Sequence, residues 1–128
     1  IGCMVALLDS WEEPKYLTRI WTIYEQYTAS KLGITVDIIM PAQESITIFQ
    51  QMRKGEAGIQ HIKQSLCKVD AEAARAWDPK DEKKVNELIR TTTGFEKVNA
   101  DVKRSMVKWV GTAVAQLMNE IVESEVET

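Results

Sequence analysis

The sequence predicts a helix-rich α/β fold: a small parallel sheet followed by several helices, the last of them long. Two short apolar runs, 3–8 (CMVALL) and 34–40 (ITVDIIM), have strand length and flank a segment with helical spacing. From residue 42 onward the apolar pattern is helical throughout, and it ends in one long stripe from Phe95 to Ile121. The chain therefore divides into a strand–helix–strand part, 1–41, and a helical part, 42–128, read together as one domain or part-domain.

The first strand is a run too short for a helix, closed by the polar turn Asp9-Ser10 and Trp11. Pro14 suits the first turn of a helix, where its missing N–H costs nothing. Leu17, Ile20, Trp21, Tyr24 and Leu32 then follow at helical spacing, and Gly33 supplies the stop. The β-branched run after it is the second strand, ending at Pro41, and two strands joined by a helix imply a right-handed parallel crossover. Both strands are apolar on both faces, so both faces call for cover, and an open edge calls for a partner.

Beyond Pro41, Ser45 is a helix cap ahead of Ile46, Phe49 and Met52, and Gly55 and Gly58 end that helix. Ile59, Ile62, Leu66, Val69 and Ala73 continue at helical spacing towards Trp77, with a break expected at Asp70. Asp78-Pro79 starts the next helix, which carries Val85, Leu88 and Ile89 and is broken by Thr93-Gly94. In the last helix Asn99 falls within the apolar stripe that includes Trp109; a buried amide there fixes how the helix docks or pairs with a polar partner. The acidic tail from Glu123 is expected to fray.

Composition excludes several classes. A net charge of −3, with the Lys83-Lys84 and Lys103-Arg104 clusters offset by Asp81, Glu82 and Asp101, argues against a general nucleic-acid binder. No apolar run approaches the roughly 20 residues that a membrane span needs, and no signal peptide is apparent. Cys3, Cys67 and the lone His61 share no metal-ligand spacing. Buried thiols in a reducing compartment are expected, so the chain reads as intracellular, cytoplasmic by preference. The start Ile1-Gly2-Cys3 is not a natural initiation sequence, which points to a processed chain, organellar processing included, or a piece of a longer one. No glycine-rich phosphate loop, nucleophile elbow or paired metal motif is present.

Glu25 is the carboxylate to examine. On a helical wheel that starts at Leu17 it lies at the margin of the apolar stripe, beside Trp21, while Arg19 faces away. A structural reading packs its stem on Trp21 and pairs its head with a nearby donor. A functional reading makes it a general base or a ribose-binding carboxylate. Asp9, Ser10 and Trp11 sit at the C-terminal end of a parallel strand, where open α/β sheets bind ligands, although Asp and Ser are also ordinary turn residues. Asp37 lies inside a strand, where an edge or hydrogen-bonded position is expected.

Residues 4–41, MVALLDSWEEPKYLTRIWTIYEQYTASKLGITVDIIMP, resemble the second half of a Toll/interleukin-1 receptor (TIR)-like domain, with its flavodoxin-like parallel sheet. The resemblance is to the divergent form found in many algal and other protist proteins. There a strand ending near a Trp is followed by Pro and then by Leu-Thr-Arg-x-Trp-Cys-x-x-Glu on a helix. Pro14, Leu17, Thr18, Arg19, Trp21 and Glu25 match that pattern, and Thr22 replaces the usual Cys. The later run VDAEAARAWDPKDEKKVNELIRTTTGFEKVNADV is similar to the helical extension of the same proteins, with Asp70, Ala71, Ala74, Asp81, Gly94, Phe95 and Asn99 in familiar places.

In TIR domains that cleave NAD, the Glu of that helix is the catalytic carboxylate, which the resemblance carries over to Glu25. The family's first half, which helps form the nucleotide pocket, has no counterpart in this sequence, and adaptor-type TIR domains act by self-association without catalysis. The expectation is thus a non-catalytic interaction or scaffold module, part of a longer chain or an assembly, that works with a protein partner or as a homo-oligomer. Two alternatives stay open: an accessory subunit of a large complex, organellar ones included, and an NAD glycohydrolase using Glu25. No cofactor is expected outside that last case, and no metal.

Overall fold

The computed structural model describes residues 3–127, with side chains described as far as Glu125. Its first strand, β1 (Cys3–Leu7), pairs in parallel with β2 (Thr35–Ile39), and helix α1 (Ile20–Lys31) connects them. Helices α2 (Ala42–Arg53), α3 (Glu56–Leu66), α4 (Pro79–Thr92) and α5 (Phe95–Glu127) follow. The fold is a helix-rich α/β arrangement with a two-stranded parallel sheet and a long C-terminal helix. At a rise of 1.5 Å per residue, α5 extends roughly 50 Å.

Gly33 ends α1 as its position predicts: it takes φ +72°, a left-handed conformation that closes the helix and that only glycine adopts without cost. The segment before α1 departs from the single helix expected there. Lys15–Thr18 forms a short 3₁₀ turn and Arg19 is extended, so α1 begins only at Ile20. A bridge to the 67–78 segment causes the break, with Ile20 N–H donating to the Arg75 carbonyl at 2.9 Å and Arg75 N–H to the Thr18 carbonyl at 2.9 Å. Leu17 is therefore off the helix axis and is the wrong origin for its wheel. The buried face of α1 is Ile20, Ile23, Gln26 and Tyr27, and Trp21, Glu25 and Leu32 point outward.

Two further boundaries shift. Helix α2 starts at Ala42 and not at Ser45: Pro41 stops β2, and its carbonyl accepts the Ser45 N–H at 3.0 Å inside the first turn. Ile48 and Met52 are its buried residues, leaving Ile46 and Phe49 exposed. Gly58 lies within α3 and stops nothing. A Cβ there would meet the Gln51 carbonyl oxygen at 1.8 Å, so its lack of a side chain lets α2 and α3 close on each other. Helix α3 then ends at Leu66, earlier than the expected break at Asp70, and residues 67–78 run without regular structure while still burying Val69, Ala71 and Ala74. Asp78 caps α4, its carboxylate accepting the Lys80 N–H at 2.9 Å.

One core joins all these elements. From the sheet it takes Ala6, Leu8 and Ile38; from the helices, Ile20, Ile23, Ile48, Ile62, Ile89 and the α5 row Val98, Val102, Met106 and Val110. The thiols do not sit as expected: Cys3 is exposed on β1, and Cys67 is partly buried, its pKa pushed up by burial, with Lys63 and Lys103 pulling the other way. Among the described residues no helix is long and apolar enough to cross a membrane.

Candidate interaction surface

The two faces of the sheet differ sharply. Side chains alternate across a strand, so Ala6, Leu8 and Ile38 point one way while Val5, Leu7 and Ile39 point the other. The first three are at most 8% exposed. Val5 and Ile39 are each 47% exposed and Leu7 69%, and the register sets Leu7 beside Ile39 and Val5 beside Asp37. Cover on both faces, as the apolar pattern called for, is thus supplied on one face only. The strand order β1–β2 also leaves an unpaired main-chain edge on each strand among the described residues.

A groove of about 710 Å³ lies between β2 and α5 and reaches Cys3 at the start of β1. One wall is Thr35–Ile38; α5 forms the other through Arg104, Lys108 and Trp109, and Phe49 of α2 closes the line. Arg104 pairs with Asp101 at 2.8 Å, whereas Lys108 has no ion pair among the described residues. A second, smaller groove of about 360 Å³ lies between the α2–α3 corner and the end of α5, lined by aliphatic and Met side chains beside Arg53.

The expected ligand residues after β1 are engaged in structure. Asp9 accepts the Lys15 N–H at 3.0 Å, and Ser10 Oγ accepts the Glu13 N–H at 3.3 Å, so both hold the turn. Trp11 is buried, donates from Nε1 to Thr47 Oγ1 at 3.0 Å and meets the His61 ring edge-on at 5.2 Å. Its ring fills the space where a cleft was expected and ties β1 to α2 and α3.

Glu25 is exposed and lines neither groove. Its charge acts on Tyr16, whose buried phenol is raised well above the ordinary tyrosine range by desolvation first and by Glu25 second. Trp21, the expected packing surface for Glu25, is 44% exposed. Of the remaining motif residues, Pro14 and Leu17 are buried, and Thr18 Oγ1 donates to the Lys15 carbonyl at 2.7 Å. Thr22 Oγ1, at the position of the replaced Cys, donates to the Tyr16 carbonyl. Arg19 faces outward as expected and stacks over the Trp77 ring, 5.1 Å from its centroid. Asn99 Oδ1 accepts the Ala71 N–H at 2.8 Å and so fastens the 67–78 segment to α5. Trp109 is half-buried on α5.

Sequence reasoning missed Lys108 and Phe49 as surface residues, because neither belongs to a motif. Gln26 was also missed: it is fully buried in α1, and its side-chain amide has no hydrogen-bond partner among the described residues. A polar residue between Ile23 and Tyr27 at helical spacing was the available signal. No group of three or more His, Cys, Asp or Glu able to hold a metal occurs among the described residues. Comparison with protein-family models, with curated proteins and with solved structures returned no match for the chain.

Proposed function

We propose that the chain is a non-catalytic protein–protein interaction module that completes its sheet with strands supplied by a partner. One observation carries this reading: the aliphatic face of Val5, Leu7 and Ile39 is bare on a sheet of only two strands. Parallel sheets are normally covered on both faces, and three or more strands or heavy helix cover are the usual minimum for stability. Here the helices supply one layer. The parallel β1–α1–β2 unit is compatible with the TIR-like resemblance, although Leu17, Thr18 and Arg19 lie outside α1, where that pattern has them on the helix. Under the resemblance a partner half-domain would complete the sheet. Glu25 is exposed and lines neither groove, and the bare face favours binding over NAD cleavage.

Light-scattering mass at micromolar concentration tests the reading. Without its partner, the bare aliphatic face should drive self-association, giving a mass above the 14.5 kDa of one chain. Leu7→Lys should return the chain to a monomer. A wild-type chain that stays monomeric and stably folded throughout this range would sink the proposal.

A further inference from the structure

Resting on that reading, we infer that the free edge of β2 takes an extended segment of another protein, one that points acidic side chains at α5 and a basic one across from Asp37. The groove is lined by the consecutive residues Thr35–Ile38, which belong to both faces of the sheet. The side of β2 away from β1 has no ladder partner among the described residues, and strand addition needs an edge of this kind. Its volume of about 710 Å³ falls in the ordinary range for bound ligands.

Charge selects the occupant. A strand laid in this groove turns alternate side chains to the two faces of the sheet. Those turned to the core side meet Arg104 and Lys108, of which Lys108 is unmatched by any carboxylate among the described residues. Those on the bare side meet Thr35, Asp37 and Ile39. The complementary segment therefore reads acidic–basic–acidic, flanked by aliphatic residues opposite Ile39. Phe49 and Trp109 offer apolar surface at the groove wall for its outer positions.

The same residues argue against a second copy of this chain at this edge. β2 has five residues with Asp37 at its centre. Two β2 strands paired antiparallel in full register about a two-fold axis set Asp37 against Asp37, and like charges directly opposite destabilise a ladder. Asp37 thus guards the edge against self-pairing and leaves it open to a strand of the right charge.

The acetylated, amidated peptide Thr-Val-Glu-Lys-Glu-Val-Thr is a suitable probe, since it reads identically in both directions and fits parallel or antiparallel addition. Titration into the 128-residue chain, followed by backbone amide NMR and hydrogen exchange, should protect amides within Thr35–Ile39. Opposite-charge cross-strand pairs are individually modest, so the charge-reversed peptide Thr-Val-Lys-Glu-Lys-Val-Thr should bind roughly tenfold more weakly. An Asp37→Lys, Lys108→Glu double variant should invert that preference. Equal binding of the two peptides, or no inversion by the double variant, overturns the inference. Protection confined to β1 overturns it too, but leaves the sheet-completing module standing. A wild-type chain that binds neither peptide overturns the inference in the same way, and the light-scattering result then decides the module separately.

Discussion

Leu7 and Leu8 are adjacent and chemically identical, yet one is 69% exposed and the other 1%. Leu8 packs in the core with Ala6, Trp11 and Ile38, while Leu7 stands on the other side of the same strand beside Ile39. The pair shows that hydrophobicity along a strand reports a demand for cover and not the identity of what covers it. This chain meets half of that demand from its own helices. The other half is the feature from which an interaction function follows, and the contrast can be broken or sharpened by substitution.

The largest effect is expected on the covered side. Leu8→Ala removes a fully buried side chain and leaves a cavity in the core, at an expected cost of about 3 kcal/mol. Chemical denaturation would read it as a lower midpoint with little change in slope. A cost below about 1 kcal/mol would mean that the two faces are not distinct environments.

Asn99→Ala comes next, at about 2 kcal/mol, because it strands the Ala71 N–H that now donates to Asn99 Oδ1. Asn99→Asp keeps an acceptor at that position and should recover most of the loss. Thermal unfolding of the two variants side by side checks this.

The position of Asn99 inside an apolar stripe was legible in the sequence, as were both strands, the stop at Gly33, the cap at Asp78 and the start of α5 at Phe95. The acidic tail expected to fray from Glu123 instead continues the helix to Glu127. What escaped was set by contacts distant in sequence. The bridge between Arg19 and Arg75 starts α1 at Ile20, and no local pattern encodes a partner 56 residues away. Placing Glu25 at the margin of the apolar stripe failed for that reason, as the wheel was anchored on Leu17. Trp11 likewise reads locally as the end of a strand at a ligand cleft, and only the folding-back of Thr47 and His61 makes it core. The groove along β2 was legible only in part: Asp37 reads as an edge residue from its strand alone, whereas Lys108 joins it through the docking of α5.

Tyr16 gives a smaller effect with a defined pH dependence. Its hydroxyl is buried without a partner among the described residues, and burial together with the Glu25 charge raises its pKa above the ordinary 10.0. Above pH 10 the unfolded chain has lost a phenolic proton that the folded chain retains. Stability therefore falls as pH rises past 10, by at most about 1.4 kcal/mol per pH unit from this group. Tyr16→Phe should flatten that decline. At neutral pH it should be neutral or stabilising by up to about 1 kcal/mol, since no satisfied hydrogen bond is lost. Denaturation midpoints at pH 7 and in the alkaline range compare the two chains.

The smallest stability effect is expected at Leu7, and it is the most telling for function. A side chain already largely in water loses little burial when replaced, so Leu7→Lys should change folding stability by no more than about 0.5 kcal/mol. A parallel strand edge tolerates lysine, which keeps its charge in solvent while its stem lies on Ile39. If unfolding of Leu7→Lys matches wild type while its association is lost, the aliphatic face serves assembly and not the fold of the single chain. A destabilisation approaching that of Leu8→Ala would place Leu7 in the chain's own core and remove the basis for a partner.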